Sequence, residues 1–376
     1  MQRLGLQEDM QYEGPMYNRH ISTILGGWRL PRRVHYHREL LDGEDGNPIC
    51  IDWLHCRREP SASPQKGASE LPQGLLVVMP GAGNTSQTPY IQRLARLSVS
   101  RGYDCCILTS RGLGSAPLQV PQFASINFTK DLRVLLRQRL SKERIFKDYG
   151  KELPLFVVGY SAGGNTVIKC IAEEQALIEQ LYPSRFPVTG CICMNSPYDL
   201  KASSTAMNSG FGLLFYQQAI ISAFKRVFKK HRKLIEQALP VMSIKESNID
   251  KLIRSLNSLD DVEQLITVPH FGYKDQAHYY NDAYAPKWIR QIKNLPIVAV
   301  ASRDDPVSAY GVTAGNWQEI ADAQPNIVYV ETPVGGHLSY LLGPLDEWHE
   351  RPSFLIDFPL RVMDHYIASA QDSTSK

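Results

Sequence analysis

The chain has 376 residues, 43% of them hydrophobic, which is enough for a sizeable core. Its net charge of +3 is too small to indicate a nucleic-acid-binding protein. The 7 cysteines show no metal-type spacing and lie partly in apolar stretches, which predicts buried, reduced thiols and no metal site.

Strand and helix patterns alternate along much of the chain after an N-terminal arm at residues 1–30. Strands are predicted near residues 33–40, 48–55, 75–79, 104–109, 154–158, 188–194, 295–301 and 326–331. Helices are predicted at about residues 89–101, 128–142, 163–178, 308–322 and 353–370. The first two strands form a hairpin around the turn residues Asp42–Gly46. This alternation is typical of an α/β fold with a mostly parallel, eight-stranded sheet and helices on both faces.

Residues 159–163 read Gly-Tyr-Ser-Ala-Gly, a G-x-S-x-G motif between a predicted strand and a predicted helix. In this setting the serine lies on a tight turn that projects its hydroxyl above the sheet edge. A serine hydroxyl is a weak nucleophile until a base takes its proton. Ser161 is therefore a candidate nucleophile that needs a histidine and an acid further along the chain.

Both partners follow in the chain order that α/β-hydrolases use, serine, then acid, then histidine. The predicted strand 295–301 leads to the adjacent carboxylates Asp304 and Asp305, and strand 326–331 leads to His337. The register places the acid directly before Pro306, which favours Asp305 and leaves Asp304 as the alternative. Because strand ends of a parallel sheet meet at one edge, we expect a triad of Ser161, Asp305 and His337.

An acyl-transfer site also needs two backbone N–H groups for the developing oxyanion. Ala162 follows the nucleophile and supplies one. The loop Pro80–Gly83 follows the predicted strand 75–79, and Ala82 is its candidate donor because Pro80 has no N–H. The alternative is that Pro80–Gly83 is only a turn.

These motifs together resemble the α/β-hydrolase-domain family, in the group of plant embryogenesis-associated hydrolases, fungal fatty-acid ethyl ester synthases and animal medium-chain phospholipase-like members. The resemblance runs from about residue 15 to 365 and is carried, in order, by Arg33–Leu40, Ile51–Trp53, Pro80–Gly83, Gly102–Tyr103, Ser110–Gly112, Gly159–Asn165, Phe271–Tyr273, Tyr279–Tyr280, Asp304–Pro306 and Gly336–Leu338. The chain departs from the group at Ser110, which is usually Asn, and at Pro80, which is often His. The resemblance implies the α/β-hydrolase fold and a lipid-ester substrate.

Residues 200–290 have no strand signal and predict a helical cap inserted between core segments 31–199 and 291–370. Lysines and arginines between residues 225 and 233 interleave with apolar residues at helical spacing. One interpretation is a basic helix for peripheral contact with anionic membranes, and the other is a cap helix packed on the core. The aromatic residues Phe271, Tyr273 and Tyr280 are candidate substrate-binding residues or ordinary packing between cap and core.

The predicted function is a serine hydrolase of lipid or medium-chain acyl esters that uses no cofactor. Two alternatives stay open: an acyltransferase with the same triad, and a non-catalytic protein that binds a lipid or a partner. No apolar run reaches the length of about 18 residues that spans a membrane. Met1–Gly5 shows neither a signal-peptide core nor a myristoylation glycine. We therefore expect a cytoplasmic protein, and the oligomeric state is left open.

Overall fold

A computed structural model of the chain describes residues 12, 14, 18–29, 33–56, 71–181, 186–208, 210–240, 242–309, 317, 319–341, 343 and 352–374, without the side chains of 176–181 and 372–374. Its strands are β1 (His37–Asp42), β2 (Pro48–Leu54), β3 (Gly74–Met79), β4 (Tyr103–Thr109), β5 (Leu155–Tyr160), β6 (Val188–Met194), β7 (Ile297–Ser302) and β8 (Ile327–Thr332).

These strands form one 8-stranded sheet in the order β1-β2-β4-β3-β5-β6-β7-β8. Strand β2 runs antiparallel to both of its neighbours, and each remaining pair is parallel. In the first hairpin Leu40 pairs with Cys50, as the turn residues predict. The predicted α/β class and mostly parallel sheet are confirmed.

The described helices are α1 (Arg19–Gly27), α2 (Pro89–Ser100), α3 (Lys130–Val134), α4 (Lys142–Tyr149), α5 (Ala162–Leu181), α6 (Leu200–Met207), α7 (Gln217–Lys230), α8 (Arg232–Ala238), α9 (Ile249–Ser255), α10 (Leu259–Val262), α11 (Val268–His270), α12 (Gln276–Ala283), α13 (Ala285–Ile289) and α14 (Phe354–Thr374). π-Helical turns continue α3 over Leu135–Arg139, precede α7 over Gly212–Tyr216 and follow α10 over Glu263–Thr267. None of the described helices combines the length and apolarity needed to cross a membrane.

The sheet carries a hydrophobic core on each face because side chains of a strand alternate between its two sides. On one face Val77 of β3 and Val157 of β5 are fully buried in the same cluster as Val167 of α5. On the other face Leu76 and Val158 are buried in a second cluster, with residues of α2 and α14. Strands buried on both faces explain the continuous apolar runs in the sequence.

Helices α6–α13 all lie between β6 and β7, in the stretch for which a helical cap is predicted. Helices α6–α10 contribute to a third hydrophobic cluster, in which Phe228 of α7, Ile235 of α8 and Ile249 of α9 are fully buried. Helix α13 instead packs in the core on the Val77 face of the sheet. Phe123 and Val307 join the third cluster from outside the cap segment. The cap therefore has a core of its own that also packs on the loops at the carboxyl edge of the sheet.

Two local predictions need correction. The arm at residues 1–30 contains helix α1, whose first turn is capped by the Asn18 side chain accepting from the backbone N–H of His20 at 2.9 Å. The helix predicted at 128–142 runs over α3 and its π-helical turn and ends at Arg139. A separate helix, α4, follows, because Ser141 takes an extended conformation and caps it by accepting from the N–H of Arg144 at 3.2 Å. Most of the helix predicted at 308–322 lies outside the described residues.

Candidate active site

Ser161 stands at the junction of β5 and α5 with a backbone φ of +50°. A non-glycine residue in this left-handed region is strained and is held there by its surroundings. The N–H of Ser161 donates to the carbonyl oxygen of Met194 at 2.9 Å. A Cβ at Gly159 would lie 2.5 Å from the Cα of Gly164, and one at Gly163 would lie 2.2 Å from the carbonyl oxygen of Met79. The turn is therefore sterically closed to side chains at both glycines of the motif.

The structure brings His337 to Ser161, although 176 positions separate them in the chain. The imidazole Nε2 lies 3.0 Å from Ser161 Oγ, and Nδ1 lies 2.9 Å from Oδ2 of Asp305. A carboxylate only accepts hydrogen bonds, so Nδ1 carries the proton and Nε2 is left to accept from the serine hydroxyl. This tautomer is the one in which a histidine acts as a base toward a serine.

Asp305 is the carboxylate in contact with His337, and its side chain is 1% exposed. It also accepts from Asn195 Nδ2 at 3.0 Å and from the backbone N–H groups of Val307 at 2.8 Å and Ser308 at 3.0 Å. Burial by itself raises the pKa of Asp305, but the histidine and these donors outweigh it and hold the pKa below its ordinary value. The carboxyl group therefore stays ionised beside the imidazole.

Asp304, the alternative acid, faces a different partner. Its Oδ1 accepts from the backbone N–H of Gly336 at 2.8 Å. Burial, followed by repulsion from Asp305, raises the pKa of Asp304. Asp304 thus holds the loop that precedes His337, whereas Asp305 contacts the imidazole itself.

Asn195, which the sequence analysis did not single out, connects several parts of this site. It follows β6, is fully buried and has a φ of +47°. Its Nδ2 reaches Asp305, Ser302 Oγ at 3.0 Å and the carbonyl oxygen of Gly336 at 3.2 Å, and its Oδ1 accepts from the Tyr340 hydroxyl at 2.6 Å. One amide therefore orients the acid and ties down the histidine loop. The only sequence signal was its place just after a predicted strand, which it shares with ordinary turn residues.

Helix α1 also contacts the histidine loop, which the prediction of an irregular arm did not anticipate. The N–H of His337 donates to Thr23 Oγ1 at 2.9 Å, and the Ser339 hydroxyl donates to the carbonyl oxygen of Ser22 at 2.5 Å. Arg29, which follows α1, donates to the carbonyl oxygen of Leu338 at 2.9 Å. The N-terminal helix thus fixes the backbone that carries the imidazole.

The candidate oxyanion loop lies directly against the nucleophile. A Cβ built on Gly81 would lie 3.0 Å from Ser161 Cβ, and the N–H of Gly81 points to the Tyr90 hydroxyl at 3.5 Å. Ala82 and Ala162 both line the cavity next to Ser161. The two predicted donors are thus on the walls of one cavity, and their role stays a prediction.

That cavity has a volume of about 200 Å³ and mostly apolar walls. Its apolar lining includes Ile126, Leu200, Met207, Ile220, Phe224, Val262 and Tyr279. Most of these residues belong to the cap helices or the turns beside them. An apolar cavity with few polar groups beside a nucleophile suits an acyl chain.

The three aromatic residues predicted to bind substrate do not line this cavity. Phe271 lies beside a separate cavity, next to Phe128. The Tyr273 hydroxyl donates to Asp282 at 2.7 Å, and the Tyr280 hydroxyl donates to Glu263 at 2.5 Å. Hydrogen bonds direct the two tyrosine hydroxyls away from the cavity, and Tyr279 lines it instead, which favours the alternative of packing between cap and core. A role for these three residues in binding substrate stays a prediction.

The basic helix of the sequence analysis is α7, which continues into α8. Ile220, Phe224 and Val227 of α7 line the cavity, so this face packs inward. Lys230 donates to the carbonyl oxygen of Gly114 at 2.8 Å, and Arg232 of α8 pairs with Asp250 at 2.6 Å. These contacts favour the cap-helix interpretation, and peripheral membrane contact stays a prediction.

Comparison with known proteins adds independent evidence on the family. The chain is 26% identical over 333 residues to the embryogenesis-associated protein EMB8 of Picea glauca, covering 87% of this chain and 66% of the relative. It is 24% identical to mouse phospholipase ABHD3 over 82% of this chain and 67% of the relative. It is 25% identical to bovine monoacylglycerol lipase ABHD2 over 93% of this chain and 76% of the relative. Together these relatives indicate a protein of the α/β-hydrolase family.

Solved structures agree with this fold. The Pyrococcus furiosus esterase Pf2001 superimposes with a TM-score of 0.50 at 11% identity, over 90% of this chain and 97% of the esterase. The α/β-hydrolase GrgF of a Penicillium species gives the same TM-score at 12% identity, over 89% of this chain and 100% of that protein. At these identities the likeness concerns the fold alone. No protein-family model matches the chain.

Proposed function

We propose that this protein is a serine hydrolase that cleaves lipid or medium-chain acyl esters through Ser161, His337, Asp305 and an acyl-enzyme. The observation that carries the proposal is the chain of two contacts, Ser161 Oγ to His337 Nε2 at 3.0 Å and His337 Nδ1 to Asp305 at 2.9 Å, beside an apolar cavity. Lipase relatives support the coarser statement, a lipase-like carboxylic ester hydrolase.

In the first half-reaction Ser161 Oγ attacks the ester carbonyl carbon while its proton passes to His337 Nε2. The carbonyl oxygen becomes an oxyanion, for which the backbone N–H groups of Ala82 and Ala162 are the proposed donors. The tetrahedral intermediate then expels the alkoxide, which takes the proton from His337 and leaves as the alcohol. Ser161 is left esterified to the acyl group.

In the second half-reaction a water molecule attacks the acyl-enzyme carbonyl and gives its proton to His337. Collapse of this intermediate breaks the bond to Ser161 Oγ, which recovers the proton, and the carboxylic acid leaves. Asp305 stays ionised throughout, because its charge interaction with His337 and its hydrogen bonds hold its pKa below the ordinary value. It fixes the imidazole tautomer and stabilises the imidazolium that forms twice in each cycle.

The cavity supports the acyl part of the proposal. Its walls are supplied mainly by apolar side chains of the cap, and burying each methylene of an acyl chain there is worth about 0.8 kcal/mol. Two of the relatives carry the names monoacylglycerol lipase and phospholipase. A lipid ester therefore agrees with the apolar cavity and with the substrates that these names state.

The direct test is labelling of the purified protein with a fluorophosphonate probe, followed by hydrolysis of p-nitrophenyl octanoate. We expect Ser161→Ala to abolish labelling and to lower kcat by about six orders of magnitude, because the nucleophile is lost while the fold is kept. Ser100→Ala, an exposed serine at the end of α2, serves as the matched control and should label normally. Normal labelling or turnover in purified Ser161→Ala would refute the assignment. Ester synthesis that outpaces hydrolysis in aqueous ethanol would move the proposal to an acyltransferase.

A further inference from the structure

Helix α1 shows the reverse of the polarity expected for a helix on the surface of a globular protein. Ser22 and Gly26 are buried, whereas Ile21 is 53% exposed, Leu25 is 40% exposed, and Trp28, which follows the helix, is 76% exposed. The three apolar residues are spaced four and then three positions apart, which places them on one face of the helix. A surface helix normally turns such an apolar stripe toward the core.

The polar inner face of α1 is explained by the histidine loop. Thr23 Oγ1 accepts from the backbone N–H of His337 at 2.9 Å, and Arg29 donates to the carbonyl oxygen of Leu338 at 2.9 Å. These contacts require hydrogen-bonding side chains on the side that faces the loop. They do not explain why the opposite side presents three large apolar side chains to the solvent.

A second exposed apolar segment lies beside α1, in the turn before α7. His20 of α1 stacks on Phe211 with 4.6 Å between the ring centroids, and its Nδ1 lies 2.9 Å from the Tyr216 hydroxyl. Phe215 stacks on Phe211 at 5.4 Å. Seven of the ten large apolar side chains that are exposed in the described part of the chain belong to these two segments. These seven residues, called the apolar patch below, are Ile21, Leu25, Trp28, Phe211, Leu213, Leu214 and Phe215. Such a concentration marks an interaction surface.

The charges around the apolar patch fit a lipid surface. The stretches 14–38 and 200–235, which contain the patch, have no acidic residue and several basic ones, among them the exposed Arg19. These stretches therefore attract the phosphate groups of lipids. Tryptophan, phenylalanine and leucine beside basic residues are typical of protein surfaces that lie in the headgroup region of a bilayer. A second copy of the chain fits less well, because a two-fold interface would bring the same basic stretches together.

We propose that the apolar patch inserts into a lipid surface and thereby holds the protein with its catalytic edge next to the lipid. The outer face of α1 enters the lipid while its inner face keeps its contact with the backbone of His337. The driving force is the burial of apolar side chains, which neutral lipid also provides and which salt does not weaken. This separates the patch from an electrostatic contact of α7 and α8. The inference does not depend on the ester hydrolase function, because docking is measured without turnover.

The test is flotation of the purified protein with phosphatidylcholine vesicles at low and at high salt. We expect the wild type to float with the vesicles in both conditions. Trp28→Ser and Leu214→Ser should each lower the partition coefficient about tenfold, because burying one large apolar side chain corresponds to a factor of this size. The matched controls are Phe146→Ser on α4 and Leu40→Ser on β1, whose side chains are 57% and 52% exposed. Strand β1 lies at the opposite edge of the sheet from β8, so both controls should float like the wild type.

Fluorescence locates the inserted side chain in the wild type and does not depend on the stability of the serine variants. Brominated phosphatidylcholine quenches a tryptophan that enters the lipid. Trp28 is 76% exposed, whereas Trp53 and Trp317 are buried. We expect quenching in the wild type and its loss in Trp28→Phe, which keeps an aromatic side chain and should still float.

Three results would overturn the proposal. The first is a wild type that does not float, or that floats only at low salt. The second is an equal loss of flotation in the patch variants and the controls. The third is a wild-type dimer in sedimentation that Trp28→Ser converts to a monomer, which would make the patch an interface between copies. Flotation of Ser161→Ala supports the patch even if the wild type hydrolyses no ester, and hydrolysis without flotation leaves the proposed hydrolase standing.

Discussion

The two walls of the cavity differ in how their polar groups are held. At the sheet edge Ser161, Asp305 and His337 each follow a strand, and their partners come from neighbouring strands and loops. On the cap side the lining is supplied by helices and π-helical turns and is apolar except for a few groups such as Glu263. Under the proposed function, the chemistry lies on strand ends, which are rigid, and the selectivity lies on an insertion with a hydrophobic cluster of its own.

The largest expected effect comes from substituting the two adjacent carboxylates of the sheet edge one at a time. Asp305→Asn should lower kcat by about four orders of magnitude, since the amide stabilises the wrong imidazole tautomer. Asp304→Asn keeps an acceptor for the N–H of Gly336 and should cost less than about tenfold. Steady-state kinetics of both purified variants on one ester measure the ranking. The reverse ranking would assign the acid to Asp304.

One carboxyl group of the cap wall makes the stability of the protein depend on pH in a predictable direction. Burial raises the pKa of Glu263 to about 7, although the Tyr280 and Gln276 donors oppose it. Between its ordinary value of 4.5 and about 7 the native state binds more protons at this group than the unfolded state, so stability falls as pH rises through that window. The group therefore costs up to about 3 kcal/mol at about pH 8 and nothing at about pH 4.

Glu263→Gln cannot ionise and removes this dependence. Urea unfolding at about pH 5 and about pH 8 should show that the variant gains stability over the wild type at the higher pH by about 1–3 kcal/mol. Asp305 does not affect this difference, because its lowered pKa keeps it ionised at both values. A difference between the two proteins that is constant with pH would mean that Glu263 is already ionised in the native state.

Kinetics on esters of different acyl chain length test the apolar part of the cap wall. Each added methylene should raise kcat/KM a few-fold until the cavity of about 200 Å³ is full, which predicts a maximum at medium chain length among p-nitrophenyl esters. Met207→Trp narrows the cavity and should move the maximum to shorter chains. The control Tyr366→Phe, at a half-buried residue of α14 away from the cavity lining, should leave the maximum in place. A flat profile, or a preference for acetate, would contradict an acyl-binding cap.

The smallest expected effect concerns the outer surface of the cap. If α7 and α8 add a contact with anionic lipid, turnover of an ester in anionic vesicles should fall relative to turnover in neutral vesicles when salt is raised from about 10 to about 150 mM. Lys229→Glu, an exposed residue of α7, should reduce the difference between the vesicle types. Equal rates on both kinds of vesicle at low salt would refute the contact with anionic membranes and support the cap-helix interpretation.

Much of the core and of the catalytic edge is predictable because the signals are local. Strand β6 begins and ends where the apolar run predicts, and Ser161 is identified by a motif that includes its own turn. The choice of Asp305 over Asp304 used one further signal, the position of the acid directly before Pro306. The structure brings Asp305 rather than Asp304 to His337. The predicted triad residues meet because parallel strands end at one edge of the sheet.

The cap and the supports of the site are less predictable. Tyr273 and Tyr280 look like pocket residues in the sequence, but their hydroxyls also meet neighbours far along the chain. Tyr273 accepts from Asn127, and Tyr280 donates to Ser204. Helix α1 is short and its contacts with the histidine loop come from more than 300 positions away. Such contacts leave no periodic pattern in the sequence.

The sequence by itself therefore determined the fold class, the strand order along the chain and the residue types of the candidate triad, because hydrophobic periodicity and turn motifs act over a few residues. Only the tertiary structure decided that Asn195 joins the acid to the histidine loop, that Tyr279 rather than Tyr280 lines the cavity, and that Glu263 is buried beside it. The physical reason is that burial and hydrogen-bond partners are properties of a packed environment, which segments distant in the chain build together.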